Sequence, residues 1–264
     1  MMQHKIYKAK KSLGQNFLKS ELALYKIIEA GEIKPDDVIL EIGPGKGALT
    51  EKLLEQAKLV IAVEKDRELF VMLQEKFRKQ IELGSFILVH GDILKFQVES
   101  YKVKSYKVIA NIPYNITGAI LKKFLTEKNQ PERMVLLVQN EVAQRIVAHD
   151  GKESILSISV KAYGEPRLIM KVGARYFSPA PKVDSAIISI KNISREFFHP
   201  DASATPQEGN LEERFWQIVK VGFAHKRKKL SSNLKNLLQT AQKESLGNKR
   251  AEDLSLSDWK TLIQ

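Results

Sequence analysis

The sequence predicts an α/β protein, with a mostly parallel sheet covered by helices on both faces and a small helical domain at the C-terminal end. Two observations predict this class. Between residues 38 and 139, five short apolar runs alternate with segments of helical periodicity, which is typical of parallel strands joined by helical crossovers. Beyond residue 210 the pattern is helical. The 264 residues suffice for a large and a small domain, which we place at residues 1–199 and 200–264.

Helices and strands alternate along the first half of the chain. Ser20 can cap a first helix that ends at Gly31. The predicted strands are VILEI (38–42), LVIAVE (59–64), FILVH (86–90), KVIA (107–110) and MVLLVQ (134–139). The later helices are expected after a glycine-rich turn through Leu54, over about 66–79, near 117–126, and over EVAQRIVA (141–148).

The pattern changes after residue 154. The runs SILSISVKAY (154–163), RLIMKV (167–172) and VDSAIISI (183–190) have no helical segment between them. We therefore expect them to extend one edge of the sheet as antiparallel strands. The stretch 193–210 is interpreted as a linker, and residues 211–223 and 229–238 are expected to form the helices of the small domain.

The formal net charge of +12 indicates a polyanionic partner, either a nucleic acid or an anionic membrane surface. The charge is concentrated in two clusters, which favours a nucleic acid. The second cluster is HKRKK (225–229). For both clusters, the alternative to a nucleic-acid contact is an ordinary solvated face. The first is an N-terminal arm with no acid before Glu21 and five lysines: Lys5, Lys8, Lys10, Lys11 and Lys19.

The composition excludes several classes of site. The chain has no cysteine, so disulfides, thiolate zinc sites and a cysteine nucleophile are excluded. Its five histidines are far apart and lack metal-ligand spacing. Neither a signal peptide nor an apolar run of the roughly 18 residues that a membrane helix needs is found. We therefore expect a cytoplasmic protein without a metal ion and without a membrane contact.

A glycine-rich turn, EIGPGKGALT (41–50), joins the first predicted strand of the sheet to a helix. Gly43, Gly45 and Gly47 let the backbone turn tightly and approach a ligand closely, with the helix N-terminus nearby. The spacing also fits a loose nicotinamide-binding fingerprint. A sharp turn without any ligand is the second alternative.

Polar groups follow the next three predicted strands. Glu64 ends one strand and could accept both ribose hydroxyls of a nucleoside cofactor. Asp92 follows the next and could accept from an adenine amino group, with a helix cap as the alternative. NIPY (111–114) ends the fourth strand, where Pro113 must interrupt the ladder. Because the carboxyl ends of parallel strands share one rim of the sheet, we expect these features to converge on one site.

These motifs resemble those of one family, the small-subunit ribosomal RNA adenine dimethyltransferases (the KsgA family). The resemblance runs almost from end to end, in the family's order: KSLGQNFL (11–18), EIGPGKGALT (41–50), VEKD (63–66), GDIL (91–94), NIPY (111–114), QNEVAQR (139–145), FSPAPKVDS (177–185) and FAHKRKKLSSNL (223–234). It implies a class I (Rossmann-like) methyltransferase fold with a mostly parallel seven-stranded sheet, and S-adenosyl-L-methionine as cofactor. It also implies transfer of two methyl groups to each of two adjacent adenines near the 3′ end of small-subunit rRNA, a role in biogenesis of the immature 30S-type subunit, and a monomer.

The resemblance also implies roles for individual residues. The side-chain oxygen of Asn111 and the backbone carbonyl of Ile112 would accept the amino hydrogens of the target adenine. Pro113 would hold the turn and Tyr114 would stack on the extruded base, with Phe177 on its other side or, alternatively, in the core. The implied cofactor contacts are Asn16, Leu18, Gly43, Gly45, Glu64, Asp92 and Asn111. The implied rRNA phosphate contacts are Lys10, Lys11, Lys226, Arg227, Lys228 and Lys229.

Three other functions stay open on the sequence alone. The same fold could serve a non-catalytic assembly factor for the small subunit, or a resistance methyltransferase that acts on large-subunit rRNA. A nicotinamide oxidoreductase would explain the glycine turn, but neither NIPY nor the positive charge. The GQNFL arm and the FAHKRKKLSSNL segment favour the small-subunit branch of the family.

Overall fold

The computed structural model describes residues 7–198, 209–235, 237 and 246–263 of the chain. Lys5, residues 199–208 of the predicted linker, and residues 236 and 238 of the last predicted helix lie outside these ranges. The predicted domain boundary between residues 199 and 200 lies outside them too, so it stays a prediction.

Strands and helices alternate along most of the described chain. The strands are β1 (Phe17–Leu18), β2 (Val38–Ile42), β3 (Leu59–Glu64), β4 (Phe86–His90), β5 (Lys107–Asn111), β6 (Arg133–Gln139), β7 (Glu165–Val172), β8 (Phe177–Ser178) and β9 (Ser185–Lys191). The helices are α1 (Glu21–Gly31), α2 (Ala48–Leu54), α3 (Arg67–Lys76), α4 (Arg78–Glu82), α5 (Thr117–Thr126), α6 (Asn140–Val147), α7 (Ile155–Lys161), α8 (Gly209–Gly222), α9 (Leu230–Asn233) and α10 (Leu256–Thr261). Among the described residues, no helix is both long enough and apolar enough to cross a membrane.

The main sheet has seven strands in the order β4-β3-β2-β5-β6-β9-β7. Strands β2 to β6 pair in parallel, and β9 pairs antiparallel with β6. The strand order reverses between β2 and β5, and a ligand crevice is expected beyond the carboxyl ends of strands at such a reversal. The prediction of an α/β fold with a mostly parallel seven-stranded sheet is confirmed.

Local signals set the ends of the first helix, and burial explains the apolar strands. Ser20 Oγ accepts the Ala23 N–H at 3.2 Å, which confirms the predicted cap of α1. Gly31 is the last residue of α1, and Glu32 adopts the left-handed conformation that ends it, with φ 44°. In β6 the residues 134–138 are fully buried, as expected for a parallel strand covered on both faces.

The prediction for SILSISVKAY (154–163) is wrong, because this segment forms the helix α7 and not a strand. Ser154 and Ser157 form a reciprocal capping box at its start. Ile158 and Ala162, one turn apart, are both buried. The alternation of serine with apolar residues resembles the pattern of a strand, but the capping box at Ser154 and Ser157 favours a helix. RLIMKV and VDSAIISI lie in β7 and β9, which extend the sheet beyond β6, and β9 is antiparallel to β6. The predicted extension of the sheet by these two segments is confirmed.

The chain divides into two compact units. One comprises Met1–Ala143 and Arg167–Lys191, and the other comprises Gln144–Pro166 and Asn192–Gln264. Within its described residues, the second unit has an aromatic core of Tyr163, Phe197, Phe198, Phe215 and Trp216. Phe198 is 1% exposed, so this residue of the predicted linker belongs to a packed core.

Candidate functional site

A cavity of about 430 Å³ lies in the first unit, at the carboxyl ends of the parallel strands. Its volume is in the range of small-molecule and cofactor sites. Four segments contribute most of its lining: the arm at 12–19, the glycine turn at 42–46, residues 91–94 after β4, and residues 111–116 after β5. The structure therefore brings the arm, the glycine turn and the strand-end motifs to one place.

The glycine turn presents its backbone to the cavity. Gly43, Gly45 and Gly47 have positive φ values of 64°, 62° and 80°, which other residues rarely adopt. A Cβ built on Gly43 would have no atom within 4 Å apart from its chain neighbours, so this position leaves room beside the backbone. The carboxylate of Glu64 holds the turn, since it accepts the Gly45 N–H at 3.2 Å and the Asp66 N–H at 2.7 Å.

Two buried carboxyl groups line the cavity. Glu64 is 5% exposed, and burial raises its pKa although backbone hydrogen bonds from Asp66 and Gly45 oppose the shift. Glu41 is 1% exposed and accepts the Thr50 hydroxyl at 2.7 Å. Burial raises the pKa of Glu41 to about 8. Glu41 was not among the residues predicted to form the site, although an acid inside the apolar strand VILEI is an available signal. Among the described residues, no group of three or more histidine, aspartate or glutamate side chains could hold a metal ion.

The raised pKa of Glu41 predicts how stability changes with pH. An unfolded glutamate ionises near pH 4.3, whereas Glu41 in the folded protein stays neutral up to a pKa of about 8. The folded state therefore loses stability relative to the unfolded state as pH rises between these values. The neutral variant Glu41→Gln should gain in Tm relative to the unsubstituted protein as pH is raised from 5 to 8, with no further gain above that.

Thermal unfolding without added cofactor measures this difference. Glu75→Gln, at an exposed position of α3, is the matched control, and its Tm difference should stay small at every pH. A Tm difference for Glu41→Gln that does not depend on pH would show that the Glu41 carboxyl is ionised in the folded protein.

NIPY forms the turn that follows β5. The side-chain Nδ2 of Asn111 donates to the backbone carbonyl of Asn16 in the arm at 3.1 Å. This bond fixes which side of the amide carries nitrogen, so the Oδ1 atom is the one available to accept from a ligand. Pro113 has φ −61° and ψ 128° and starts the short helical turn Tyr114–Ile116. The Tyr114 hydroxyl shares a short hydrogen bond with Ser185 Oγ, which fixes the ring at the cavity wall.

The cavity gathers ten of the predicted site residues. These are Asn16, Leu18, Gly43, Gly45, Glu64, Asp92, Asn111, Ile112, Pro113 and Tyr114. Phe177 lies elsewhere: it is 2% exposed, belongs to the hydrophobic core and pairs with Leu18 across β1 and β8. The Asp92 carboxylate pairs with Lys65 at 2.8 Å and caps a helical turn, and the Lys65 bond lowers its pKa. The base contact of Phe177 and the adenine contact of Asp92 stay predictions.

Asp66 fastens the arm to the start of α3. Its carboxylate accepts from Tyr7 Oη at 2.7 Å, Lys10 Nζ at 2.9 Å and Gln15 Nε2 at 3.1 Å. Burial would raise the pKa of Asp66, but the bonds from Tyr7 and Lys10 lower it to about 2. Lys10 also pairs with Glu68 at 2.9 Å, so its charge is compensated within the protein, and its RNA contact stays a prediction. This network was not predicted from the sequence, because its members are up to 59 residues apart.

Weakening this network should loosen the arm. Asp66→Asn removes the charge that holds Lys10, so we expect faster proteolysis at the arm lysines and a several-fold weaker cofactor affinity, because Asn16 and Leu18 of the arm line the cavity. Glu68→Gln, which removes only the more exposed partner of Lys10, is the matched control and should change both measurements much less. Equal proteolysis rates for Asp66→Asn and the unsubstituted protein would show that Asp66 does not hold the arm.

The second basic cluster lies in the second unit, in the turn between α8 and α9. Residues 226–229 are all exposed. Asn233 orders this turn, since its Nδ2 donates to the backbone carbonyls of Gly222 at 2.6 Å and His225 at 3.2 Å. Four cations are thus held on one turn, a pattern suited to phosphate contacts. In the arm, Lys11 is also exposed.

The chain is similar to known proteins along nearly its whole length. The family described as ribosomal RNA adenine dimethylase matches residues 6–264. The chain is 41% identical to ribosomal RNA small subunit methyltransferase A of Dehalococcoides mccartyi strain CBDB1, over 99% of this chain and 90% of that protein. It is 38% identical to the protein of the same name from Fusobacterium nucleatum, over 98% and 97% respectively.

Solved structures agree with the fold. The 23S rRNA methyltransferase ErmE matches with a TM-score of 0.76 at 26% identity, covering 94% of this chain and 98% of that one. A dimethyladenosine transferase from Plasmodium falciparum matches with a TM-score of 0.75 at 27% identity, covering 93% and 95%. Both likenesses extend over nearly the full length of the chain.

Proposed function

The chain belongs to the ribosomal RNA adenine dimethylase family and is an rRNA adenine dimethyltransferase of the small subunit; on this premise we propose that its targets are two adjacent adenines near the 3′ end of that rRNA. S-adenosyl-L-methionine is the proposed methyl donor, and an immature small subunit is the proposed substrate particle. The relatives at 41% and 38% identity are named for the small subunit. The likeness to the large-subunit enzyme is weaker, at 26% identity, which supports the small-subunit branch.

The residues of the cavity fit S-adenosyl-L-methionine. Glu64 lies at the end of β3 with its carboxylate at the cavity, where it suits the two ribose hydroxyls. The space beside the backbone at Gly43 is unoccupied by protein atoms, so the methionine part of the cofactor would be able to lie close to the backbone there. Glu41 suits an ammonium group, because a buried carboxyl gains most from a cationic partner. When bound, the cofactor supplies an electrophilic methyl group on a sulfonium sulfur.

The observation that carries this proposal is the position of the Asn111 amide. Adenine's exocyclic amine is a poor nucleophile because its lone pair is delocalised into the ring. Acceptors for both amino hydrogens would localise that lone pair and orient it. Asn111 Oδ1 and the backbone carbonyl of Ile112 are proposed as these acceptors, and the bond from Asn111 Nδ2 to Asn16 at 3.1 Å supports the required orientation. Positioning of this kind supplies most of the acceleration, without a general base.

Tyr114 is proposed to hold the target base after it leaves the RNA stack. Its ring lines the cavity, and the hydrogen bond to Ser185 restrains it, so a base can stack on a surface that is already ordered. The acceptor at Asn111 is a neutral amide. A neutral acceptor tolerates a monomethylated amine, which offers one hydrogen in place of two, and so supports a second round of transfer.

Analysis of the methylated nucleosides tests this proposal. RNA from small subunits that lack the modification should yield N6-methyladenosine early and N6,N6-dimethyladenosine at completion. A reaction that stops at the monomethyl product would contradict the proposed tolerance of the Asn111 site. A product methylated at another atom would contradict the alignment of the exocyclic amine.

The basic turn of the second unit should contribute electrostatically to RNA binding. Changing Lys226, Arg227 and Lys228 together to glutamine should weaken RNA binding, because contacts to phosphates are lost. The slope of log affinity against log salt concentration should also fall, by about 0.7–0.9 for each lost contact. Binding titrations at several salt concentrations measure the slope. The matched control changes three exposed lysines of the first unit, in the loops that lead into β5 and β6, namely Lys102, Lys104 and Lys128. An equal change of slope in both triple variants would show that only net charge matters.

A further inference from the structure

Arg175 and Tyr176 form an exposed cation–π pair in the first unit. They belong to the helical turn Ala174–Tyr176, which leads directly into β8. The guanidinium carbon of Arg175 lies 5.0 Å from the centre of the Tyr176 ring, and Nη2 donates to the Tyr176 hydroxyl at 3.3 Å. Both residues are exposed, Tyr176 to 39%. A planar cation is thus held on an aromatic ring at the protein surface.

The turn that carries the pair leads into the lining of the cavity. Ser178, two residues after Tyr176, is part of the cavity lining and pairs with Phe17 of the arm. The backbone N–H of Lys19 donates to the Tyr176 carbonyl at 2.8 Å. The turn that carries the pair is therefore anchored to the arm, next to the wall of the cavity.

The charges around the pair favour a polyanion. Asp184 is the one acid in the segment 171–184, and it pairs with Lys171 at 2.9 Å. It also accepts the Ala174 N–H at 3.0 Å, which ties it to the turn. The remaining cations of this segment are Arg175 and Lys182, and Lys182 is exposed.

We propose that Arg175 and Tyr176 form a stacking platform for an RNA base that flanks the target adenine. This inference rests on the proposed function. A target adenine that enters the cavity must leave its neighbours, and a neighbouring base then exposes a face that has lost its stacking partner. Single-stranded RNA bases stack on aromatic rings and on guanidinium planes, and the pair offers both within reach of the strand that enters the cavity. By binding the flanking base, the platform would determine which nucleotide of the RNA remains beside the cavity.

Steady-state methylation with varied RNA tests the platform. Tyr176→Ala should raise the KM for RNA by about fivefold or more, the effect expected for one lost base stack, with kcat at saturating RNA and S-adenosyl-L-methionine affinity unchanged within about twofold. Tyr176→Phe keeps the ring and should restore most of the loss. Tyr25→Ala is the matched control for loss of an exposed ring beside a cation, because Tyr25 is 61% exposed, has the Lys26 ammonium 5.7 Å from its ring, and lies on α1, outside the turn that carries the platform. An unchanged KM in Tyr176→Ala would overturn the proposal.

Arg175 separates stacking from a simple phosphate contact. Arg175→Lys keeps the charge and loses the plane, so the platform predicts a raised KM for RNA with an unchanged salt slope. If Arg175→Lys behaves like the unsubstituted protein, and Arg175→Ala only lowers the salt slope by about 0.7–0.9, the pair is a phosphate contact and the stacking proposal is overturned.

A fluorescent base distinguishes failure of the platform from failure of the proposed function. With 2-aminopurine beside the target adenine, the unsubstituted protein should quench its fluorescence on binding, and Tyr176→Ala should quench less. Equal quenching by both proteins, with normal methylation, would contradict the stacking platform but not the proposed function. Tyr176-dependent quenching without methylation of small subunits removes the proposed function and leaves an RNA-stacking platform.

Discussion

Replacing Asn111 with alanine should reduce kcat for methyl transfer by about 100-fold or more, a loss typical of removing one oriented polar group from a reaction centre. The variant keeps the Ile112 carbonyl but loses the acceptor for the second amino hydrogen, so the adenine lone pair is no longer localised and oriented. The affinity for S-adenosyl-L-methionine should change less than about fivefold, because the variant also loses the hydrogen bond to the Asn16 carbonyl, which contributes about 1 kcal/mol.

Single-turnover methylation and calorimetric cofactor binding separate these two effects. Tm serves as the control for folding, since Asn111 lies at the end of the buried strand β5. A loss of cofactor affinity as large as the loss of rate would mean that Asn111 serves cofactor binding and does not align the amine.

Replacing Glu64 with alanine should weaken S-adenosyl-L-methionine binding by about 100-fold or more, because two hydrogen bonds from ribose hydroxyls to a charged acceptor contribute about 1.5–3 kcal/mol each. The substitution also frees the N–H groups of Gly45 and Asp66, which the carboxylate now holds at 3.2 and 2.7 Å. Part of the loss therefore comes from a less ordered glycine turn.

The variant Glu64→Gln distinguishes the two contributions. It keeps the shape of the side chain and one acceptor oxygen, so its affinity for the cofactor should lie between those of the unsubstituted protein and Glu64→Ala. Calorimetry with S-adenosyl-L-methionine measures all three. Unchanged affinity for S-adenosyl-L-methionine in a folded Glu64→Ala variant would show that Glu64 only shapes the turn. Binding of a nicotinamide cofactor by the unsubstituted protein would restore the oxidoreductase alternative.

The sheet and much of the cavity could be predicted from the sequence. Each strand expected between residues 38 and 139 is present within one residue of its expected ends, because short apolar runs bounded by polar turns are typical of buried parallel strands. Glu64, Asp92 and NIPY could be expected to meet because parallel strands end at a common rim. The segment 154–163 was predicted wrongly, since a serine capping box decided its structure and its alternation did not.

Other features could not be predicted because they depend on partners distant in sequence. The hydrogen bonds of Asp66 to Tyr7 and Lys10 span 59 and 56 residues, and no local sequence pattern indicates them. The burial of Phe177 depends on its pairing with Leu18 across β1 and β8. The bond between Asn111 and Asn16 joins two motifs that the sequence presents 95 residues apart.

Transfer of labelled methyl groups from S-adenosyl-L-methionine to undermethylated ribosomal subunits tests whether this protein dimethylates adenines of small-subunit rRNA. Small and large subunits are incubated separately, and the rRNA is digested to locate the label. We expect label in N6,N6-dimethyladenosine at two adjacent positions in the 3′-terminal region of small-subunit rRNA. Label on large-subunit rRNA alone, or tight binding to small subunits with no label, would contradict this expectation.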